Sequence, residues 1–301
     1  MKLSISFFSI CLLFISCKET PKKEVIKKEI PTESTTKKNL DSHTNTEGMV
    51  FFEGGTIQIG SNDGLPNEMP SFEKHITSFY LDKNLVSVAD FRKFIEATGY
   101  KTEADKFGDS GVFLFDAGNW TLLKGANWEY PLGETKPKSI DNHPVTHVSW
   151  NDAQAYASWV GKRLPTEFEY EFAAKNGGSS TYPWGNTPLV NGKYMANTWQ
   201  GKTVQESEPK DGFLLTSPIG YYGESPAGLT DMVGNVWQWT ETIYSNYPGN
   251  PNNIQKDPKL RTTRGGAFMF DQAGDKSFTT TFRAKNSIDT SIFNMGFRCA
   301  K

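Results

Sequence analysis

Cysteine is scarce in this chain, with three in 301 residues: Cys11, Cys17 and Cys299. Such a number, so scattered, excludes a disulfide framework and a four-cysteine zinc site. Histidine is nearly as rare, at four residues: His43, His75, His143 and His147. His43 lies in a polar stretch and His75 stands alone in a strand-like one. His143 and His147 have the spacing of two ligands on one helix face. Pro144 and the β-branched Val145, Thr146 and Val148 predict an extended chain instead, which separates the pair by about 13 Å. All four are read as structural. An excess of one charge sign is also missing, because 32 Lys and Arg against 34 Asp and Glu leave a net charge of −2. Without clustered positive charge, a nucleic-acid partner is excluded. No phosphate loop, serine-nucleophile constellation or dinucleotide fingerprint stands at a junction of strand and helix.

What is present divides into three segments. Residues 1–16 carry Lys2 and then the apolar run Ile-Ser-Phe-Phe-Ser-Ile-Cys-Leu-Leu-Phe-Ile, too short to span a bilayer and suited to a secretory signal. Ser16 directly before Cys17 resembles the end of a bacterial lipoprotein signal, with Cys17 lipidated as the mature N-terminus; a plain secretory signal is the alternative. Residues 17–48 mix Lys, Glu, Thr, Ser and Pro without an aromatic residue. They cannot bury enough apolar area to offset the entropy of ordering, so they are expected to form a disordered tether. The expected location is the bacterial cell envelope, lipid-anchored at the outer membrane through Cys17.

From Met49 to Lys301 the composition becomes that of a folded domain, in a chain that is 37% hydrophobic and 13% aromatic overall. Met49-Val-Phe-Phe52 and the alternating Thr56-Ile-Gln-Ile-Gly60 predict strands. Three helices have legible starts: Ser87 with Asp90, Ser149 with Asp152, and Thr166 with Glu169, each a cap followed three residues later by an acid. Gly99, Gly161 and Gly177 are the expected stops. Beyond Gly177, Gly, Pro, Asn and Trp dominate and periodicity fades, which predicts short strands and long ordered loops. Within them, Met232 to Thr240 has the residues for one short strand.

Several blocks occur in order: His143-Pro-Val-Thr-His-Val-Ser-Trp-Asn-Asp152, Gly161-Lys-Arg-Leu-Pro-Thr-Glu167, Tyr182-Pro-Trp-Gly-Asn186, Gly234-Asn-Val-Trp-Gln-Trp239, Arg264-Gly-Gly-Ala-Phe268 and Asn294-Met-Gly-Phe-Arg-Cys299. Thr102-Glu-Ala-Asp-Lys-Phe-Gly-Asp109 and Lys124-Gly-Ala-Asn-Trp128 extend the set. Together they resemble the formylglycine-generating enzyme family, also called sulfatase-modifying factors, over the whole of 49–301. The resemblance implies an α+β fold related to C-type lectins, with little regular secondary structure and with bound calcium. Family enzymes oxidise a sulfatase cysteine to formylglycine with oxygen and a copper ion held by two cysteine thiolates, soft donors for a soft Cu(I) ion.

This chain departs from the family where that chemistry resides. The stretch Gly265-Gly-Ala-Phe-Met-Phe-Asp-Gln-Ala-Gly-Asp275 places Ala267, Phe270 and Asp275 at the family's Ser, first Cys and second Cys positions. Alanine and phenylalanine have no donor atom, so copper is not expected and no catalytic residue is assigned. Asp271 with Asp275 is read as turn chemistry ahead of a hard-cation site. Cys299 stands where the family has a structural cysteine, and Ala157 occupies the usual partner position, so a buried, inert thiol is expected.

Calcium is the expected cofactor. The resemblance carries one site onto the Asn197 side chain, the Thr198 carbonyl, the Asp211 side chain and the Phe213 carbonyl. It carries a second onto Asp231, Gly234, Val236 and Gln238, where Gln238 replaces a family acid. Mixed oxygen donors suit Ca²⁺, which tolerates irregular geometry. The functional expectation is a membrane-anchored lipoprotein without oxidase activity, acting as a binding or assembly module on a peptide or protein partner. A family enzyme with altered chemistry, or an oxidase acting on sulfatase cysteines, is the alternative. The Cys17→Ser variant should leave the membrane fraction once its signal is removed, because acyl burial is the one strong anchor expected here. A processed variant that still sediments with membranes would refute lipidation at Cys17.

Overall fold

Four helices begin where a side chain can take up orphan N–H groups. In the computed structural model they are α1 (Val88–Thr98), α2 (Glu103–Phe107), α3 (Trp150–Trp159) and α4 (Glu167–Ala174). Ser87, Thr102, Ser149 and Thr166 are the N-caps, and all but the first form reciprocal capping boxes. Gly99 closes α1 in the left-handed conformation, as expected. The other two expected stops are corrected. α3 is capped by Val160 and α4 by Lys175, with Gly161 and Gly177 following in left-handed backbone beyond the caps. α2 was not anticipated, being a single turn with too few residues to display an apolar period.

The structure describes residues 46–201, 203, 208–252, 256–269 and 276–301. Cys17, His43, Phe270, Asp271 and Asp275 lie outside them. No helix among the described residues is long and apolar enough to cross a membrane.

The strands are short, as anticipated: β1 (Met49–Phe52), β2 (Gly55–Ile59), β3 (Phe72–Ile76), β4 (Phe79–Asp82), β5 (Asp109–Leu114), β6 (Asn119–Lys124), β7 (Leu189–Val190), β8 (Lys193–Tyr194), β9 (Trp237–Ile243), β10 (Leu260–Arg264), β11 (Arg283–Ser287) and β12 (Met295–Gly296). One sheet has four strands, in the order β11-β10-β9-β12, with β12 parallel to β9. The rest pair as β1-β4, β2-β3, β5-β6 and β7-β8. The result is α+β with few helices and much irregular chain.

Three apolar clusters hold these pieces together. The first joins β1 to β4 with α4 through Phe52, Ile59, Phe79, Leu81 and Phe172. The second packs α1 on α3 and the C-terminal chain through Phe91, Phe94, Tyr156, Trp239 and Phe297. The third places Val112 and Phe113 of β5 against Phe268 and Phe293. The His143 to Val148 stretch is irregular rather than helical. His147 is fully buried, donates from Nε2 to the Pro131 carbonyl at 2.9 Å, and has Nδ1 at 2.7 Å from Ser110 Oγ. Burial pushes its imidazole down to about 3, with the Pro131 bond opposing. His143 meets Thr216 Oγ1 and His75 meets Thr56 Oγ1, so the described histidines have the structural partners expected of them.

α4 is buried on nearly every side, and its three glutamates are each met by an arginine from another part of the chain. Arg283 binds Glu167 through Nε at 3.0 Å and Nη2 at 2.9 Å, and Arg163 binds Glu169 through both Nη atoms at 2.8 and 2.6 Å. Glu171 accepts from Arg264 Nη2 at 2.6 Å, from Lys175 Nζ at 2.7 Å and from the Gly60 N–H at 2.7 Å. Burial raises the Glu167 carboxyl, while Arg283 and Arg264 pull it back. Burial opposes charge on Arg264, yet Glu171 and its neighbours hold the guanidinium above its ordinary value.

Removing one member of a buried pair strands the other without water. Glu171→Gln should therefore cost about 3 to 5 kcal/mol in urea unfolding. Lys93→Ala, at the exposed pair with Asp90, should leave the midpoint near that of the parent. Equal, small losses from both would show that the α4 array does not hold the fold.

Candidate functional site

Three irregular segments meet at Asn235. Its N–H donates to the Asn197 carbonyl at 2.8 Å, its carbonyl accepts from Phe268 N at 3.0 Å, and its side chain bonds the Ser217 N–H and carbonyl. Gly234 makes this approach possible. Its φ is 72°, and a Cβ there would stand 2.5 Å from the Asn197 carbonyl oxygen. The Gly234 N–H in turn bonds Gly265 O at 2.7 Å. Gly265 is equally constrained, since a Cβ would fall 2.7 Å from Tyr170 Oη. Both expected calcium donor sets and the expected oxidase strand thus converge on one junction.

The first set has the character of a cation cradle. Asn197 is fully buried, and its Oδ1 has no hydrogen-bond partner among the described residues while Nδ2 donates to Leu215 O at 2.7 Å. A buried, unserved amide oxygen carries a desolvation cost that an ion would remove. Asp211 is 7% exposed, and its carboxylate accepts from Thr198 N at 2.7 Å and Phe213 N at 3.1 Å. Burial raises the Asp211 carboxyl, and hydrogen bonds led by Gln200 counter it. Gln200 was missed by sequence reasoning, although it lies inside the block Ala196 to Gly201. Its Nε2 donates to the Thr198 carbonyl and to Asp211 Oδ2, which brings two of the expected donors to one point.

The second set differs from its expectation. Asp231 Oδ2 accepts from Gly220 N at 2.7 Å and Oδ1 from Asn235 Nδ2 at 3.2 Å. Gln238 Oε1 accepts from Arg298 Nε at 2.8 Å, and Gln238 Nε2 donates to the Asp231 carbonyl at 2.8 Å. Every side-chain oxygen of the set already accepts a hydrogen bond. Arg298, fully buried, also donates to the carbonyls of Asp82, Lys83, Thr230 and Asp231, so the positive charge here is a guanidinium. Val236 is buried beside it. The residues therefore fit an ion at the first set and do not fit one at the second. Arg298 stands inside the block Asn294 to Cys299, but nothing local signals its reach to Asp82.

At the expected oxidase strand, Ala267 is described and half-buried, whereas Phe270 and Asp275 lie outside the described residues. Phe268 and Met269 enter the third apolar cluster. From Phe268 a run of rings leads outward: Phe293 at 5.3 Å, then Trp120 at 5.5 Å, with Phe115 stacked on Trp199 at 5.3 Å and 3°. Trp120 is 47% exposed, and Leu114 and Leu122 of the same hairpin are exposed as well. Cys299 is the free cysteine among the described residues; it and Ala157 lie fully buried in the second cluster, apart from this strand. Burial, then Asp82, raises its thiol well above the ordinary value. The donor set does not fit a dithiolate copper ion.

Comparison with known proteins places this geometry among relatives. A profile described as the sulfatase-modifying factor enzyme 1-like domain matches residues 34–301. The formylglycine-generating enzyme of Mus musculus is 38% identical over 276 residues, covering 84% of this chain and 74% of that protein. That of Streptomyces coelicolor is 35% identical over 280 residues, covering 85% and 89%. A Bos taurus protein named inactive C-alpha-formylglycine-generating enzyme 2 is 36% identical over 277 residues, covering 85% and 88%. Among solved structures, PvdO from Pseudomonas aeruginosa aligns with TM-score 0.63 at 24% identity, over 84% of this chain and 93% of that one, a likeness of fold.

Proposed function

The chain belongs to the sulfatase-modifying factor family, and from that premise we propose that it is a lipid-anchored binding or assembly module of the bacterial cell envelope that makes no formylglycine. One observation carries the reading: the folded body holds a single cysteine, Cys299, buried away from the strand where the family keeps its copper thiolates. Ala267 and Phe270 offer no donor, and Asp275 offers only hard oxygen to an ion that prefers sulfur. No redox step can run through residues that cannot hold the metal. What remains beside Ala267 is an apolar and aromatic surface, suited to contact with a peptide or protein segment. A relative that bears the name inactive supports the same view. Outer-membrane attachment through Cys17 belongs to the proposal.

Calcium at the first donor set is its second part. The Asn197 and Asp211 side chains with the Thr198 and Phe213 carbonyls would hold the ion, and the hard cation would tie two loops together where few backbone bonds do.

A ligand bound only by the folded state stabilises it by about 2.7 kcal/mol at roughly a hundredfold excess over its dissociation constant. In a domain of this size that corresponds to about 5 to 10 °C. Chelation should lower Tm on that scale in the parent protein and much less in Asp211→Ala. Unchanged melting of both on chelation would remove calcium from the proposal.

The function itself is tested with protein loaded with Cu(I) and a Cys-x-Pro-x-Arg peptide under oxygen. Mass spectrometry should find no formylglycine above a metal-free control. The triple variant Ala267→Ser, Phe270→Cys, Asp275→Cys should gain stoichiometric copper. Formylglycine made by the unmodified chain would establish the oxidase alternative.

A further inference from the structure

We propose that Gln200 is a switchable member of the first oxygen cluster, its amide nitrogen standing in for the cation when none is bound and its Oε1 turning toward the ion when one is. The inference rests on the calcium reading above.

The geometry begins with a shortage of protons. Gln200 Nε2 meets three oxygens: the Thr198 carbonyl, Thr198 Oγ1 at 3.2 Å and Asp211 Oδ2 at 2.9 Å. An amide NH₂ has two hydrogens, so it cannot serve all three. Asn197 Oδ1, buried at the same loop, has no hydrogen-bond partner among the described residues. Gln200 Nε2 is thus short of hydrogens for the oxygens it faces, and a divalent cation is the species that serves several oxygens at once. Lysine and arginine do not do so here; none donates to any of these four atoms in the described residues.

The nitrogen can only substitute. It carries partial positive charge through its hydrogens and has no lone pair for a metal, so an arriving Ca²⁺ must displace it. The other end of the same amide is a neutral hard oxygen, the type of donor already supplied by Asn197 and Thr198. The terminal torsion of glutamine is broad and roughly two-fold, so nitrogen and oxygen exchange places without backbone movement. The exchange gives up the contact of Gln200 Oε1 with the Asp211 N–H, which is long at 3.4 Å. Gln200 would thus keep the loop assembled without metal and set how much calcium is needed to replace it.

Two substitutions separate this role from packing. The probe is CaCl₂ alone, titrated by calorimetry into chelator-treated mature protein, with Tm measured with and without calcium. Gln200→Glu places a second carboxylate beside Asp211. It should lower Tm in chelator and tighten calcium binding at least tenfold. Gln200→Lys supplies a permanent ammonium at the stand-in position, and its Tm should be independent of calcium and no lower than that of the chelated parent. If the parent binds calcium but the Glu variant binds no more tightly, or the Lys variant still responds as the parent does, Gln200 is a bystander and this inference falls alone. If the parent takes up no calcium in the calorimeter, the calcium reading falls and this one with it.

Discussion

The carboxylates of α4 are the constraint on which the rest of the molecule depends. A chain with so little regular structure has few backbone ladders to fix its loops, and it needs other long-range ties. Glu167 and Glu171 provide them, drawing in Arg283 and Arg264 from segments about a hundred residues downstream, while Glu169 holds the nearby Arg163. The two distant arginines also donate to loop carbonyls: Arg283 to Asn67 and Ser245, Arg264 to Thr280 and Thr281. Apolar side chains of equal volume would pack as well, but they would not dictate which loop meets which. The guanidinium fork matches one carboxylate in one orientation, so the array fixes register as well as proximity.

The same device recurs at the functional junction with the signs redistributed. Arg298 collects four backbone carbonyls and Gln238 Oε1 around one buried guanidinium, so the neighbourhood of Asp231 has a covalently attached cation. Thirty-odd residues upstream, the buried Asn197 Oδ1 meets no hydrogen-bond donor among the described residues. Asn235 and Gly234 bind the two loops to each other and to the irregular segment that follows β10 at Gly265.

That segment is held by close backbone approaches. Gly265 and Gly266 keep the close backbone approaches, with a Cβ at Gly266 falling 2.1 Å from the Ser277 carbonyl oxygen. Ala267 and Phe268 continue into a ring-rich cluster rather than a polar one. Phe268 meets Phe293 edge to face at 5.3 Å and shares its cluster with Phe113.

Helix starts at Ser87, Ser149 and Thr166 were legible because a cap and its acid lie three residues apart and need no other part of the chain. The single cysteine of residues 49–301 was legible by counting, and a dithiolate needs two thiols wherever the chain runs. α2 escaped despite the Thr102 and Asp105 box, because one turn shows no period. Gln200 and Arg298 were visible as letters inside recognised blocks, yet their roles depend on which oxygens surround them. Whether Gln238 could hold an ion was decided by Arg298, sixty residues away, and the need for Gly234 by the Asn197 carbonyl. Sequence by itself determined composition, local caps and the inventory of donor atoms. Only the tertiary structure decided which donors are already engaged, because hydrogen-bond satisfaction depends on distance in space and burial, neither of which is written in the spacing of residues.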